Sequence, residues 1–285
     1  MADTTPSAVV IGWPIEHSRS PIIHGYWLET LGICGQYHKR AVPPDELEAF
    51  VDEVRRGALS GANVTIPHKV AIAACVDEVL PEATAIGAVN TLWVEAGRVL
   101  ATNTDGTGFL ANLDQTAPQW RASNRRVLIL GAGGAARAIA DALIRCGVER
   151  IDVANRTFER AEDLAARLRA VHGSKAKTSA VDWAEAPSAL THTDLLINTT
   201  SLGMAGQPAL LFDLGCARAD AIVADIVYVP LETELLAAAR GRGLVTVDGL
   251  GMLLHQAAPG FARWFGVMPQ VTDGLRQRVL ADIGS

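Results

Sequence analysis

Residues 127–136 read VLILGAGGAA, a short apolar strand that runs into a glycine-rich turn and then into a helix. Gly131 permits the tight turn, and Gly133 lets the backbone approach a pyrophosphate at the helix N-terminus. Ala136 is small enough for close packing of helix on strand and stands where a third glycine often sits. The stretch predicts a dinucleotide-binding turn formed by Gly131, Ala132, Gly133, Gly134 and Ala135.

The strand after this turn indicates which dinucleotide is bound. It begins near Ile151 and ends in Asn155, Arg156 and Thr157. An NAD site would carry an Asp or Glu here for the ribose 2′-hydroxyl. A neutral amide beside a guanidinium suits the 2′-phosphate of NADP instead. Arg160, one helical turn later, is either a second positive charge at this phosphate or an exposed residue of its helix. We therefore predict NADP as the cofactor.

Composition and charge exclude several classes of protein. Of the 285 residues, 49% are hydrophobic and 20% are charged, which is ordinary for a soluble globular protein. The net charge of −6 argues against nucleic acid or an anionic membrane as a partner. No apolar run has the length of a membrane span, and the N-terminal residues lack the pattern of a secretory signal. The four cysteines lack metal-ligand spacing, so we expect no metal site. We expect their thiols to be reduced and the protein to be cytoplasmic. The cysteines are Cys34, Cys75, Cys146 and Cys216.

Strand-like and helix-like stretches alternate along the whole chain, which predicts an α/β fold. In the first part, Ser20 is the expected cap of a helix with Pro21 in its first turn, and Asp45 is the expected cap of a second helix. A third helix is expected from about His68. The expected strands lie near 8–12, 36–42 and 61–67, with a hairpin at 90–94 and 98–101.

The second part has the alternation of a Rossmann-like, NADP-binding domain from 126 to 247. Two helices follow it, near 250–265 and 273–283. Because they come after a complete nucleotide-binding set, we expect them to return to the first domain. The predicted domains are residues 1–105 with 250–285, for substrate binding and catalysis, and residues 106–249, for NADP.

Further segments combine short polar side chains with strand ends. They are HSRSP (17–21), NVTIPHK (63–69), GAVNT (87–91), NTDG (103–106) and GLGMLLHQA (249–257), with GAGGAAR (131–137), NRT (155–157), NTTSLGM (198–204) and DIVYVPLET (225–233). In this order and spacing, over nearly the whole chain, they resemble the shikimate dehydrogenase family. The resemblance implies an NADP-dependent oxidoreductase that reversibly reduces 3-dehydroshikimate to shikimate, a step of chorismate and aromatic amino-acid biosynthesis.

Lys69 and Asp105 are the candidate catalytic pair. Reduction of a ring ketone needs a hydride and a proton for the developing alkoxide. An ammonium can donate that proton, and a nearby carboxylate can orient the ammonium and help to keep it charged. By resemblance, Lys69 is the catalytic acid/base, and Asp105 is its partner and binds a substrate hydroxyl. We expect the two side chains to converge on the substrate.

Ser18 and Ser20 are the candidates for binding the substrate carboxylate. Two hydroxyls and helix-terminal N–H groups can bind a carboxylate without an arginine. The family uses this serine pair for the shikimate carboxylate, and a pair of serines favours shikimate over quinate. The capping role expected for Ser20 could coexist with this one.

The resemblance assigns further substrate contacts to Thr65, Asn90 and Gln256, which are small neutral groups suited to a triol. Asn63 is either another such group or a turn residue that binds backbone. Tyr228 is either near the substrate carboxylate or a packed aromatic residue at a strand end.

A further set of residues lies where NADP passes in the family. Gly249 belongs to this set, and a close approach of the cofactor to the backbone would explain a glycine there. The set is Thr199, Thr200, Ser201, Met204, Val227 and Gly249. The histidines beside these motifs have no metal-ligand pattern, so we expect structural or peripheral roles for His17, His24, His68 and His255.

Three alternatives remain. A quinate/shikimate dehydrogenase with relaxed cofactor choice is disfavoured by Arg156 and the serine pair. A nucleotide-sensing module without turnover is disfavoured by Lys69 and Asp105. The glycine-rich domain alone would also suit a glutamyl-tRNA reductase or a methylene-tetrahydrofolate dehydrogenase, but neither accounts for the SRS and NTDG segments together. The expected assembly is a monomer or homodimer.

Overall fold

The computed structural model describes residues 5–123 and 126–283. Residues 1–4, 124–125 and 284–285 lie outside the described residues, and with them the outer ends of the predicted domain ranges. The chain divides into two compact units, Met1–Thr104 with Leu254–Ser285, and Asp105–Leu253. Each unit contains a six-stranded sheet with helices, so the α/β prediction is confirmed.

The first unit is built on a mixed sheet. Its strands are β1 (Ser7–Gly12), β2 (Gln36–Ala41), β3 (Gly61–Val64), β4 (Glu78–Val79), β5 (Thr91–Glu95) and β6 (Arg98–Thr102), in the spatial order β2-β1-β3-β5-β6-β4. Strands β1, β2 and β3 are parallel, whereas β5 is antiparallel to both β3 and β6. The predicted hairpin is confirmed, and it turns at Ala96 and Gly97, both with positive φ, as a two-residue hairpin turn requires.

The helices of the first unit begin and end somewhat differently from the prediction. Helix α1 (Ser20–Thr30) has Arg19 at its N-cap and no side-chain cap, so the prediction that Ser20 is the cap is wrong. Helix α2 (Leu47–Arg55) follows a 3-10 turn that contains Asp45, with Glu46 at the N-cap, so Asp45 does not cap it. The unit also contains α3 (Pro81–Ile86), which the sequence did not predict.

The helix expected from His68 is absent from the described residues of this segment. Residues 67–70 form turns, and a 3-10 helix follows at Ala71–Ala74. The carbonyl of Lys69, which an α-helix would pair with a residue four positions later, instead accepts a hydrogen bond from the N–H of Val89 at 2.7 Å. A tertiary backbone contact therefore replaces the predicted helix.

The C-terminal helices return to the first unit, as predicted. They are α10 (Gly249–Phe265) and α11 (Asp273–Ile283), and residues from Leu254 onward belong to this unit. The indole of Trp264 donates to the carbonyl of Leu92 at 2.8 Å. A Cβ at Gly61 would lie 2.2 Å from both the Leu92 oxygen and the Trp264 Nε1, so only glycine allows this close approach.

The second unit is a fully parallel, doubly wound sheet. Its strands are β7 (Arg126–Leu130), β8 (Arg150–Ala154), β9 (Lys177–Val181), β10 (Leu195–Asn198), β11 (Ile222–Asp225) and β12 (Val245–Val247), in the order β12-β11-β10-β7-β8-β9. Its helices are α4 (Asp105–Thr116), α5 (Trp120–Ser123), α6 (Gly134–Arg145), α7 (Phe158–His172), α8 (Ala186–Ala189) and α9 (Glu234–Gly241). This strand order is that of a Rossmann fold, whose ligands bind at the carboxyl ends of the strands where the order reverses, here between β7 and β10.

Within residues 5–123 and 126–283, no helix combines the length and apolarity needed to cross a membrane.

Candidate active site

In the first unit, Asn90 is the centre of a polar cluster that includes Gln256. Asn90 directly precedes β5 and is buried. Its Oδ1 accepts from the Thr104 N–H at 2.9 Å and from the Thr91 hydroxyl at 2.9 Å, while its Nδ2 donates to the Gln256 Oε1 at 3.4 Å. The Thr104 hydroxyl donates to the Gln256 backbone carbonyl at 2.7 Å. The structure thus brings together two predicted substrate residues that are far apart in the sequence.

Asn63 lies in β3, so it is not a turn residue, although its amide does bind backbone. It is buried, and its Oδ1 accepts from the Tyr37 hydroxyl at 2.6 Å and lies 3.2 Å from the His24 Nε2. Its Nδ2 donates to the Asn90 carbonyl at 3.3 Å. The amide is therefore used by the chain itself, and it links the end of β3 to the start of β5.

The two serines lie side by side at the start of α1. Their Oγ atoms are 3.3 Å apart, with the Ser18 hydroxyl donating to the Ser20 oxygen. Ser20 is buried near Tyr37, whereas Ser18 is half-buried. The Tyr37 hydroxyl itself donates to the Asn63 Oδ1. No local sequence pattern singled out Tyr37, which lies on β2.

His24 is a buried titratable group that packs against Tyr37. Its ring stacks on Tyr37 with centroids 3.9 Å apart and lies near Trp27, Phe261 and Trp264. Burial lowers the pKa of His24 from 6.5 to about 3, and the hydrogen bond to Asn63 opposes this only in part. His24 is therefore neutral at physiological pH and has a structural role.

Lys69 and Thr65 lie after β3 in the turn segment that replaces the predicted helix, and both side chains are half-buried. A Cβ at Gly12 would approach the Thr65 Cγ2 to 2.7 Å, so the end of β1 packs closely against this segment. His68 is buried, and its Nε2–H donates to the Val42 carbonyl at 2.7 Å. His68 therefore anchors the turn that carries Lys69.

Asp105 is the first residue of α4, in the second unit, and it is buried. A Cβ on the following residue, Gly106, would lie 2.4 Å from the carbonyl of Ala138 in α6, so this glycine lets α4 lie close against α6. Lys69 and Asp105 belong to different units, and their convergence on one substrate stays a prediction.

The glycine-rich turn contains two kinds of glycine. Gly131 has a φ of 103°, and a Cβ there would approach the Thr199 hydroxyl to 2.6 Å, so the fold itself requires glycine. At Gly133 and Gly134, an added Cβ would meet nothing within 4 Å. Helix α6 begins here without a side-chain cap. The space above these two residues and the first N–H groups of α6 suit a phosphate group.

The predicted 2′-phosphate residues lie at the end of β8. The Asn155 Nδ2 donates to the Thr157 carbonyl at 2.8 Å, which shapes the turn before α7. Arg156 and Arg160 are exposed, and within the part of the chain that the structure describes neither forms an ion pair with an acidic side chain. Both guanidinium groups are thus available to an anionic ligand.

The other predicted cofactor residues lie at the ends of β10 and β11. Thr199 and Thr200 follow β10, and Val227 follows β11 as a buried residue. A Cβ at Gly249 would lie 2.2 Å from the Ile226 carbonyl oxygen, so the chain's own backbone accounts for this glycine. Tyr228 is half-buried, and Ser201 and Met204 are exposed.

Two residues at these strand ends were missed by the sequence analysis. Asn198 and Asp225 are both almost fully buried, and they hydrogen-bond each other at 2.9 Å. The sequence did contain a signal for them. Each is the polar last residue of an otherwise apolar strand, LLIN for β10 and IVAD for β11. Among the described residues, no group of three or more His, Cys, Asp or Glu side chains could hold a metal ion.

Three family models match the chain. They describe a shikimate dehydrogenase substrate binding domain (residues 10–92), a shikimate / quinate 5-dehydrogenase (residues 113–213) and a shikimate 5′-dehydrogenase C-terminal domain (residues 249–280). A protein named shikimate dehydrogenase (NADP(+)) from Azorhizobium caulinodans is 51% identical over 276 residues, which cover 97% of this chain and 96% of that protein.

Two solved structures are similar over nearly the whole chain. One is shikimate 5-dehydrogenase from Thermus thermophilus in complex with NADP(H) and shikimate, with a TM-score of 0.84, 35% identity, and coverage of 97% of this chain and 99% of that one. The other is quinate dehydrogenase from Corynebacterium glutamicum in complex with NAD, with a TM-score of 0.89, 32% identity, and coverage of 97% and 99%.

The burial of His24 predicts a loss of stability in acid. The unfolded chain takes up a proton on this histidine below pH 6.5, whereas the folded protein resists it down to about pH 3. Between about pH 7 and pH 5 the free energy of unfolding should therefore fall by about 2 kcal/mol through His24 alone. Urea unfolding of the wild type and of His24→Gln at both pH values measures this, and an equal pH dependence in the two proteins would contradict it.

Proposed function

The chain belongs to the shikimate dehydrogenase family, and on that premise we propose that Lys69 and Asp105 carry the proton chemistry by which it reduces 3-dehydroshikimate to shikimate with NADPH. The reaction is reversible and belongs to the shikimate pathway of aromatic amino-acid biosynthesis. The first unit is assigned to substrate binding and the second to NADP.

The observation that best supports this assignment is the hydrogen-bonded cluster of Asn90, Thr104 and Gln256. Three neutral side chains from two distant segments form one hydrogen-bonded cluster in the same unit as Lys69. Amides and hydroxyls both donate and accept, so they match a ring with several hydroxyls better than charged groups would. Thr65, in the same turn segment as Lys69, extends this set.

The residues of the second unit fit NADP. Gly133 and Gly134 leave open space over the start of α6 for the pyrophosphate, and their own fold gives no steric reason for glycine. The exposed Arg156 and Arg160 suit a doubly charged 2′-phosphate, and no acidic residue stands at Asn155 to repel it. Gly131, Ala132, Ala135, Thr157, Thr200, Val227 and Gly249 complete the proposed cofactor site.

The proposed chemistry adds a hydride and a proton across one carbonyl group. Bound NADPH supplies the hydride to the ketone carbon. The Lys69 ammonium hydrogen-bonds the ketone oxygen, stabilises the negative charge that develops there, and transfers its proton to form the new hydroxyl. Asp105 orients the ammonium and accepts a hydrogen bond from a neighbouring substrate hydroxyl. Ser18, Ser20 and Tyr228 hold the substrate carboxylate.

We further propose that the protein acts in the cytoplasm as a monomer or homodimer. All four cysteines are free thiols, which suits a reducing compartment.

An absorbance assay of the reduced nicotinamide, NADPH or NADH, tests the function, with shikimate and quinate each supplied with NADP and with NAD. The highest kcat/KM is expected for shikimate with NADP. Preference for quinate with NAD would instead favour the kind of activity named for the Corynebacterium relative. Absence of turnover with all four combinations would contradict the proposed activity.

Replacing Lys69 with Ala should lower kcat by about a hundredfold or more, because the proton donor is lost, while shikimate still binds. Steady-state kinetics together with calorimetric binding of shikimate separates the two effects. Lys39→Ala is the matched control, since Lys39 is an exposed lysine of the same unit. A near-normal kcat in Lys69→Ala would remove this residue from the catalytic role.

The two serines should contribute unequally to carboxylate binding. Ser20 is buried, whereas Ser18 is half-buried and more accessible to a ligand. Ser18→Ala should therefore raise the shikimate KM by about tenfold, and Ser20→Ala by less. A rise in KM for Ser20→Ala that equals or exceeds the rise for Ser18→Ala would refute this ranking.

Removal of the Arg156 guanidinium should affect one cofactor only. Arg156→Ala is expected to raise the NADP KM by about tenfold or more, through loss of charge-assisted hydrogen bonds, and to leave the NAD KM nearly unchanged. Arg218→Ala, at an arginine paired with Asp220 in the same unit, is the control. An equal rise of both KM values would show that Arg156 does not contact the 2′-phosphate.

A further inference from the structure

Asn198 and Asp225 occupy equivalent positions at the ends of two neighbouring strands. Asn198 is the last residue of β10, Asp225 is the last residue of β11, and the two are partners in the parallel register. Their exposures are 0% and 2%, so neither side chain reaches solvent from its place under the loops that follow. Polar groups buried this deeply are costly unless each is hydrogen-bonded.

Asn198 organises the loop after β10. Its Oδ1 accepts from the Thr200 N–H at 3.0 Å and from the Thr200 hydroxyl at 2.7 Å. Its Nδ2 donates to the Leu202 carbonyl at 3.3 Å and to the Asp225 Oδ1 at 2.9 Å. The side chain thus fixes both the backbone and the hydroxyl of Thr200, a predicted cofactor residue.

Asp225 organises the segment after β11. Its Oδ1 accepts from the Val227 N–H at 3.0 Å, in addition to Asn198, and its Oδ2 accepts from the Thr233 hydroxyl at 2.8 Å. Thr233 in turn is the N-cap of α9 and accepts from the Leu236 N–H. One carboxylate therefore ties the backbone of Val227, the start of α9 and the neighbouring strand together.

Three donors converge on Asp225, and this explains why a carboxylate stands there. An ionised carboxylate only accepts, so it satisfies all three groups, whereas an amide would present its own N–H₂ to one of them. Burial raises the pKa of Asp225 to about 6, and the hydrogen bonds from Val227, Thr233 and Asn198 lower it only in part. The Asp225 carboxylate thus stays charged in an unfavourable buried position, where its hydrogen bonds fix the loops after β10 and β11.

The same two loops pack against both glycines that frame the proposed cofactor site. A Cβ at Gly131 would collide with Thr199, the residue after Asn198. A Cβ at Gly249 would collide with the carbonyl groups of Ile226 and Val227, directly after Asp225. A shift of either loop would therefore move residues on either side of the cofactor.

We propose that Asn198 and Asp225 are a pair of positioning residues for NADP, which hold Thr200 and Val227 in the geometry that the cofactor needs without touching it themselves. The inference rests on the NADP site proposed above. It predicts that the two side chains are coupled, because the bond from the Asn198 Nδ2 to the Asp225 Oδ1 orients each of them toward its own loop.

The test is equilibrium binding of NADP⁺ to the enzyme without substrate, by calorimetry. Asn198→Ala and Asp225→Ala should each weaken binding by about tenfold or more, whereas kcat at saturating NADP⁺ changes by less than this. The double variant should bind no more weakly than the poorer single variant. If the two residues contributed independently, the fold-losses of NADP⁺ affinity in the single variants would instead multiply in the double variant.

Asp225→Asn is the conservative variant. Its amide oxygen can still accept from Asn198 and Val227, so it should bind NADP⁺ within about threefold of the wild type. Asp141→Ala is the matched control, because Asp141 is a buried carboxylate of the same unit that pairs with Arg145 and His172. It should lower the unfolding temperature and leave the NADP⁺ affinity unchanged.

The outcomes separate this inference from the proposed function. If the wild type fails to bind NADP⁺, the proposed function fails. If the wild type binds and both alanine variants bind equally well, the positioning role is refuted while the function stands. If Asp225→Ala does not fold, Asn198→Ala and Asp225→Asn decide. Wild-type affinity in Asn198→Ala, or a loss in Asp225→Asn as large as in Asn198→Ala, would overturn the proposal.

Discussion

The loops at the strand ends of both units depend on buried side-chain amides whose hydrogen bonds must be satisfied. Asn63 and Asn90 in the first unit and Asn198 in the second all bind backbone groups of a neighbouring segment as well as side chains. An amide can mimic a peptide group, so it ties an irregular loop to a regular strand end at fixed geometry. Because an unsatisfied buried amide costs about 1–3 kcal/mol, such a loop has few alternative positions.

The glycines separate positions that the fold requires from positions that a ligand requires. Gly61, Gly106 and Gly249 face backbone atoms at less than 2.5 Å from a hypothetical Cβ, so the chain's own packing excludes any other residue. Gly133 and Gly134 face open space. Both stand at the start of α6, where the open space and the first N–H groups of the helix suit a phosphate group. The steric surroundings therefore carry information that the glycine-rich sequence alone does not.

Much of the fold was predictable because its signals are local. Strand β7, the turn at Gly131 and strand β8 follow from patterning over a few residues, and the observed ends of the two strands lie within about one residue of the prediction. The helix expected from His68 failed for a non-local reason, since Val89 takes the carbonyl of Lys69. Ser20 failed as a cap because the helix begins at Ser20 itself, with Arg19 at the N-cap.

The candidate site was predictable only where a residue belongs to a recognisable motif. Tyr37 and His24 do not, and their roles arise from the packing of α1, β2 and α10, which no single segment encodes. Asn198 and Asp225 stood inside quoted segments, but their partners lie on different strands and loops. Residues that contact a ligand are constrained by its chemistry and form motifs, whereas residues that position them are constrained by tertiary contacts.

His24 in the first unit and Asp225 in the second are buried groups with shifted pKa values, and their contributions to stability respond to acid with opposite signs. The pKa of His24 is lowered to about 3, so the stability associated with it is present above pH 6.5 and is lost as the pH falls. The pKa of Asp225 is raised to about 6, so its contribution is greatest below pH 3.8 and is lost as the pH rises through about 6. Acid therefore weakens the aromatic cluster behind the proposed substrate residues while it relieves the buried charge beneath the proposed cofactor loops. Relief of that charge also adds a proton where three donors already converge, so a gain in stability at Asp225 comes with a disturbed hydrogen-bond arrangement. The carboxylate at this position is thus better explained by the geometry it imposes than by the stability it provides.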